Sequence, residues 1–159
     1  MTRLLEATDE HFLWFARGQG RMGGLGLPPG GLEDPAVLPI VRRMTARLRE
    51  AGCRGSFLMI QDDEVVGTCG YKWPPRNGVV EIGYGVAAAR RRLGHATRGL
   101  AALLDWARRD PAVGVVTAET AVGNYASHRV VTANGFAQAG SRYDREDGDL
   151  FLWRLEVAS

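Results

Sequence analysis

Residues Val79 to Phe136 read VVEIGYGVAAARRRLGHATRGLAALLDWARRDPAVGVVTAETAVGNYASHRVVTANGF. An apolar, β-branched run, Val79 to Val86, leads into the arginine cluster Arg90-Arg91-Arg92. A Gly-x-Ala step follows, Gly94-His95-Ala96. A long amphipathic run then reaches Arg109, with Leu100, Leu103, Leu104 and Ala107 at helical spacing. A second β-rich run, Val113 to Thr120, precedes Asn124, Ser127 and the closing pair Gly135-Phe136. The order predicts strand, small-residue turn, helix, strand, short helix. A helix N-terminus presents unpaired N–H groups and a positive dipole end, so the turn is a place for an anion.

The flanks complete a sheet. Met1 to Ala7 predicts a first strand, and Thr8 or Asp9 can cap a helix from Glu10 to about Arg17. Gly18 to Gly31, GQGRMGGLGLPPGG, breaks regular structure and reads on its own as a flexible surface loop. Val37, Ile40, Val41, Met44 and Leu48 predict a second helix, Glu33 to Ala51, with Pro39 marking either its true start or a kink. Ser56 to Gln61 and Val65 to Trp73 read as a hairpin about Asp62-Asp63-Glu64, and Val79 to Val86 returns antiparallel. The helix after it makes the next strand parallel to Val79 to Val86. Ala137 to Asp144 and Asp149 to Val157 form a last hairpin turning at Asp147-Gly148. The expectation is one α/β (α+β) domain over residues 1–159. Its sheet is mixed and mostly antiparallel, with one parallel pair and helices on both faces.

Composition narrows the function classes. At 159 residues the chain is long enough for one core. A net charge of +2 gives no reason to expect nucleic acid as a partner. Cys53 and Cys69 are isolated, without a metal-ligand spacing, so no metal is expected and reduced thiols in a cytoplasmic protein are. No apolar run approaches the roughly 20 residues of a membrane span, so no membrane partner is expected. The N-terminus lacks a signal peptide's apolar region.

Arg91-x-x-Gly94-x-Ala96 resembles the Arg/Gln-x-x-Gly-x-Gly/Ala signature of the GNAT superfamily of acyl-CoA N-acyltransferases. Glu81-Ile82-Gly83-Tyr84, Ala96-Thr97 and Asn124-x-x-Ser127 with Gly135-Phe136 are similar to the branch that includes ribosomal-protein alanine acetyltransferases. The resemblance implies an N-acetyltransferase fed by acetyl-CoA as co-substrate, acting on a protein N-terminus or small-molecule amine, as a monomer or homodimer. It implies that the turn Arg91, Arg92, Leu93, Gly94, His95, Ala96 and Thr97 holds the pyrophosphate. The pantetheine arm would pair with the backbone at Tyr84, Gly85 and Val86, with Asn124 in reach. The thioester would lie where the parallel strands separate, and the loop Gly18 to Gly31 would border the acceptor.

Acyl transfer needs a base for the amine and a proton for the departing thiolate. Glu81 shares a strand face with Gly83 and Gly85 and is the expected base; Glu119 on the neighbouring strand is its rival. Many family members place a tyrosine near the sulfur where this chain has Val131, and neither Tyr125 nor Tyr143 matches that place. The branch suggests Ser127 as the substitute hydroxyl; a helix-start hydrogen bond is the plainer role for it. The missing tyrosine leaves an alternative open, a non-catalytic CoA-binding regulatory module.

Overall fold

The computed structural model describes residues 1–157. Its elements are β1 (Arg3–Glu6), α1 (Asp9–Arg17), α2 (Leu38–Glu50), β2 (Ser56–Gln61), β3 (Glu64–Tyr71), β4 (Val79–Val86), a short 3₁₀ turn (Ala88–Arg90), α3 (His95–Arg108), β5 (Val115–Ala121), α4 (Tyr125–Ala133), β6 (Ala137–Asp144) and β7 (Gly148–Glu156). The strands make one seven-stranded sheet in the order β1-β2-β3-β4-β5-β7-β6. Every neighbouring pair is antiparallel except β4 and β5. The expected mixed sheet is therefore present.

Each face buries its own cluster. On one side α3 and α4 place Leu100, Leu103, Leu104 and Val131 against Met59, Val80, Ile82, Val116 and Ala118. On the other, Phe12 and Phe15 of α1 pack with Leu25, Leu32, Leu58, Ile60 and Val65. Gly99 explains how closely α3 lies on the sheet: a Cβ there would stand 2.6 Å from the Met59 sulfur. Among the described residues every buried side-chain nitrogen and oxygen has a partner, as a stable interior requires.

Two local expectations change. Helix α2 starts at Leu38 rather than near Glu33, because Asp34 closes a turn first. Its Oδ1 accepts from Ala36 N at 2.7 Å and its carbonyl from Val37 N and Leu38 N. Gly18 to Gly31 is not a loose loop. Gly26 donates to Asp63 O at 2.9 Å and accepts from Val65 N at 3.0 Å, while Leu25 and Leu32 are buried. The glycines of β4 mark no bulge; pairing with β3 is regular from Tyr71↔Ile82 to Gly67↔Val86. The register shifts fall instead at Met59/Ile60 and Gln138/Gly140.

Helix α1 is fastened by a capping box with histidine in the place usually held by Glu or Gln. Thr8 Oγ1 accepts from His11 N at 3.3 Å, and His11 Nδ1 accepts from Thr8 N at 2.9 Å. That acceptor must be unprotonated, and burial already holds the His11 pKa below its ordinary 6.5. The unfolded chain thus binds the proton more readily than the folded one. Stability is full above the ordinary imidazole range and falls as pH drops through it towards the lower folded value. His11→Gln keeps a reaching acceptor without a titrating ring. Thermal denaturation should show a smaller loss on acidification through that range in His11→Gln than in the wild type. Thr8→Ala should cost about 1 kcal/mol at neutral pH.

Candidate active site

The site begins where β4 and β5 part. Their parallel ladder holds three registered pairs and ends at Glu81↔Thr117. Strand β4 stays paired with β3 as far as Val86, and β5 stays paired with β7 as far as Ala121. Beyond Glu81 the edge of β4 that faced β5 has lost its strand partner, and apart from Val86 O, which Arg91 Nε reaches, its outward backbone groups can pair with an extended guest. Tyr84, Gly85 and Val86, the residues that the family resemblance assigns to the cofactor arm, lie on this length.

A hydroxyl pair spans the gap. The Tyr84 phenol stands 2.5 Å from Ser127 Oγ and donates to Ser127 O at 3.3 Å. Burial pushes the Tyr84 pKa up, partly offset by the bond from Ser127, so the phenol keeps its proton at neutral pH. Asn124 Oδ1 accepts from Ser127 N at 3.1 Å and caps α4. That backbone bond leaves the Ser127 hydroxyl to face Tyr84. Val131 is wholly buried in the core. A tyrosine is therefore present at the divergence, but it comes from β4 instead of α4.

The opposite face of β4 presents Glu81, Gly83 and Gly85, a floor nearly bare of side chains. Two charged residues cover it. Lys72, paired across the sheet by its N–H to Glu81 O at 2.8 Å, puts its Nζ 2.6 Å from Glu81 Oε2. Its Cε lies 3.3 Å from where a Gly83 Cβ would be. Glu33, from the segment ahead of α2, brings Oε2 within 3.2 Å of the corresponding point at Gly85. Burial raises the Glu33 pKa, with the Asp34 backbone N–H and the Arg91 charge acting the other way. Glu119 is committed elsewhere. Arg142 grips it with two nitrogens, Nε and Nη2, the latter at 2.8 Å, and holds its pKa below the ordinary value.

The turn read from the sequence as a place for an anion is Arg91 to Thr97. Gly94, with φ of 81°, is the N-cap of α3, and the first bond of the helical ladder is Arg98 N to Gly94 O at 3.1 Å. The N–H groups of His95, Ala96 and Thr97 therefore have no intrahelical partner. Arg90 is tied to Glu64 at 2.6 and 3.1 Å, which leaves Arg91, Arg92 and Leu93 as the exposed residues of the approach. Arg91 Nε also reaches Val86 O at 3.3 Å. Arg98 folds back over the turn, donating to Leu93 O at 2.9 Å and lying 3.1 Å from His95 Nδ1. Burial and that guanidinium keep the His95 pKa down. An open cavity of about 410 Å³ adjoins the turn, lined by Gln61, Asp62, Glu64, Val66, Arg90, Leu93, His95 and Arg98. Among the described residues no group of His, Cys, Asp and Glu is placed to hold a metal, and no helix is long and apolar enough to cross a membrane.

Sequence reasoning overlooked Glu33, Lys72, Arg98 and the reach of the Tyr84 phenol. Lys72 could have been found by running the β3–β4 register back from the turn at Pro74 to Gly78, which sets it opposite Glu81. Glu33 carries no periodic signal; only the bare Glu81-Gly83-Gly85 face hints that something must cover it.

These features have counterparts among known proteins. Residues 3–137 match the acetyltransferase (GNAT) domain family. A search of curated proteins found no match. Among solved structures, RimL, a ribosomal alpha-N-protein acetyltransferase in complex with coenzyme A, is 18% identical with a TM-score of 0.74. The alignment covers 98% of this chain and 93% of that one. The aminoglycoside acetyltransferase AAC(6')-Ib in complex with coenzyme A is 15% identical, TM-score 0.67, with coverage of 98% and 95%. A spermidine N-acetyltransferase chimera from Vibrio cholerae and hSSAT is 11% identical, TM-score 0.74, with the same coverage. At these identities the structural likeness speaks for the fold, and the family match speaks for membership. The open edge of β4, the uncapped amides at the start of α3 and the match over residues 3–137 agree: this chain belongs to the GNAT family of acetyltransferases.

Proposed function

We propose that this protein is an acetyl-CoA-dependent N-acetyltransferase that moves the acetyl group directly to a primary amine. The carrying observation is the pairing of two features. An anion turn at the start of α3 lies beside a strand edge that opens at Glu81↔Thr117. A thioester with a long amide-bearing arm and a pyrophosphate fits that combination. The amides of His95, Ala96 and Thr97, with Arg91 and Arg92, receive the phosphates. The edge at Tyr84 to Val86 pairs with the arm, and Asn124 stands at the rim. As a reading of the whole chain, residues 1–159 form one domain, and the protein works in the cytoplasm.

Chemistry follows from the two faces of the divergence. Glu81 takes the proton of the amine on the floor side. Glu33, the second carboxylate on that side, attracts the cationic amine. Tyr84 and Ser127 deliver a proton to the departing thiolate on the other side. The three structural relatives described above carry names that point to amines of different kinds: a protein N-terminus, an aminoglycoside and a polyamine. An amine panel drawn from those classes, followed by thiol release from acetyl-CoA, tests the reading directly. Turnover of an amine supports it. Tight CoA binding without turnover of any amine replaces it with the regulatory-module reading.

Four outcomes are expected. Gly94→Val forces a branched side chain into a left-handed position, where a Cβ would also stand 2.6 Å from Arg98 Nη1. Calorimetry should show sharply weaker CoA binding with the fold kept. Equal affinity would move the phosphate site elsewhere.

Glu81→Gln should lower kcat by about 10²–10⁴ with little change in CoA affinity. The loss should shrink at high pH, where the amine arrives neutral. Glu33→Gln should act mainly on KM for the amine. In the wild type that KM should climb as pH falls through a range above the ordinary carboxylate value of 4.5, because protonation removes the attracting charge. The variant's KM should lack that climb.

Tyr84→Phe and Ser127→Ala remove two halves of one hydrogen bond. Each should reduce kcat less than Glu81→Gln, since solvent can protonate a thiolate of ordinary pKa about 8.5. The double variant should be little worse than the poorer single one, because the two act as a unit. Fully additive losses in the double-mutant cycle would show that the hydroxyls work separately.

A further inference from the structure

We propose that the enzyme acetylates itself at Lys72. The inference rests on the reading of the divergence as the acetyl-transfer point. It is carried by the position of one amine. Lys72 is the chain's only lysine. It closes β3 opposite Glu81, the last residue of β4 to pair with β5. Its stem crosses the bare floor at Gly83, with Cε and Cγ 3.3 and 3.8 Å from the Cβ position there. Its ammonium is 2.6 Å from the carboxylate assigned as base, and the side chain is 31% exposed. A primary amine, its proton acceptor and the mouth of the divergence thus stand together within one chain.

The step balances without a further reactant. The Lys72 ammonium gives one proton to Glu81, and the freed lone pair attacks the thioester carbonyl. A C–N bond forms, and the C–S bond breaks with its electron pair going to sulfur. One of the two protons still on nitrogen leaves and the other stays in the amide, while the thiolate takes a proton from the Tyr84–Ser127 pair, which solvent restores. The products are an uncharged acetyl-lysine, CoA thiol and a net proton. The modified side chain can no longer form an ion pair with Glu81, so the base is released from its cation.

The test uses the unaltered protein. It is incubated with acetyl-CoA and no amine, then followed by intact mass and peptide mapping. The expected result is a mass gain of one acetyl group located at Lys72, at a rate that saturates with acetyl-CoA, falls when free CoA competes and does not depend on protein concentration. Lys72→Arg, which keeps the charge on a group that does not give up its proton, should show no gain. Label only at the Met1 amine overturns the proposal. So does label that neither saturates with acetyl-CoA nor falls under CoA competition, since that is solution chemistry. Thiol release is measured in parallel with the amine panel. Turnover of an external amine with Lys72 unmodified overturns self-acetylation alone, whereas no turnover and no modification overturns both this proposal and the transferase reading.

Discussion

Everything at the site depends on the ladder between β4 and β5 stopping at Glu81↔Thr117. Two parallel strands that stayed paired would satisfy each other's backbone and leave no room for a guest. Here each strand keeps its outer partner, β3 or β7, and loses only the inner one. The sheet stays continuous below the divergence, while above it β4 offers a row of backbone donors and acceptors. The apolar clusters hold this geometry from both faces, because α3 and α4 press on one side and α1 with its following segment on the other. A cleft held this way costs little to keep open, since its walls are strands already paired elsewhere.

The divergence also separates two kinds of chemistry that would interfere if mixed. On the α4 side lie two neutral hydroxyls, Tyr84 and Ser127, hydrogen-bonded to each other. On the other lie charges: Lys72 with Glu81, Arg142 with Glu119, and Glu33. In the proposed reaction, proton donors would face one end of the reacting carbonyl and proton acceptors the other, with the strand between them. The carboxylates are not equivalent. Glu119 is held by a two-pronged guanidinium, so its lone pairs are occupied. Glu81 has one lysine on one oxygen and is rigidly placed on a strand. Glu33 is carried by an irregular segment, but buried Leu32 next to it and the Asp34 turn after it restrict that segment. A loop fastened in this way can hold a carboxylate over a strand as a regular element would.

Much of the fold was legible because it is written in periodicity. β2, β4 and β6 fall where alternation and turn residues place them, and the Asp62-Asp63 hairpin turn has positive φ at both residues, 48° and 59°, as a tight two-residue turn demands. The anion turn was legible because a glycine must stand at the left-handed cap of α3. What stayed hidden depends on contacts between segments distant in sequence. Glu33 reaches Gly85, and the Tyr84 phenol reaches Ser127; neither strand nor helix periodicity encodes such a meeting. The start of α2 stayed open between Glu33 and Pro39 because an apolar helical pattern does not reveal that Asp34 closes its own turn. The expectation of a loose loop failed because glycine content says what a backbone can adopt, not what pins it.

Arginine usage fits the same chemistry. Of the 20 basic residues all but Lys72 are arginine. A guanidinium stays protonated at any pH a protein meets, so it pairs with carboxylates and phosphates without becoming a nucleophile. A lysine side chain, by contrast, ends in a primary amine, the one kind of side-chain nitrogen that N-acetylation converts to an ordinary amide. The structure follows that division: arginines hold Asp9, Glu6, Glu64 and Glu119 in ion pairs, and arginines flank the anion turn. The one side-chain amine able to accept an acyl group stands against Glu81 at the mouth of the divergence. If Lys72 served only as a counter-ion, arginine would provide a stronger and more permanent one, as it does at Glu119. What lysine adds at that position is a primary amine, the group on which the proposed self-acetylation acts.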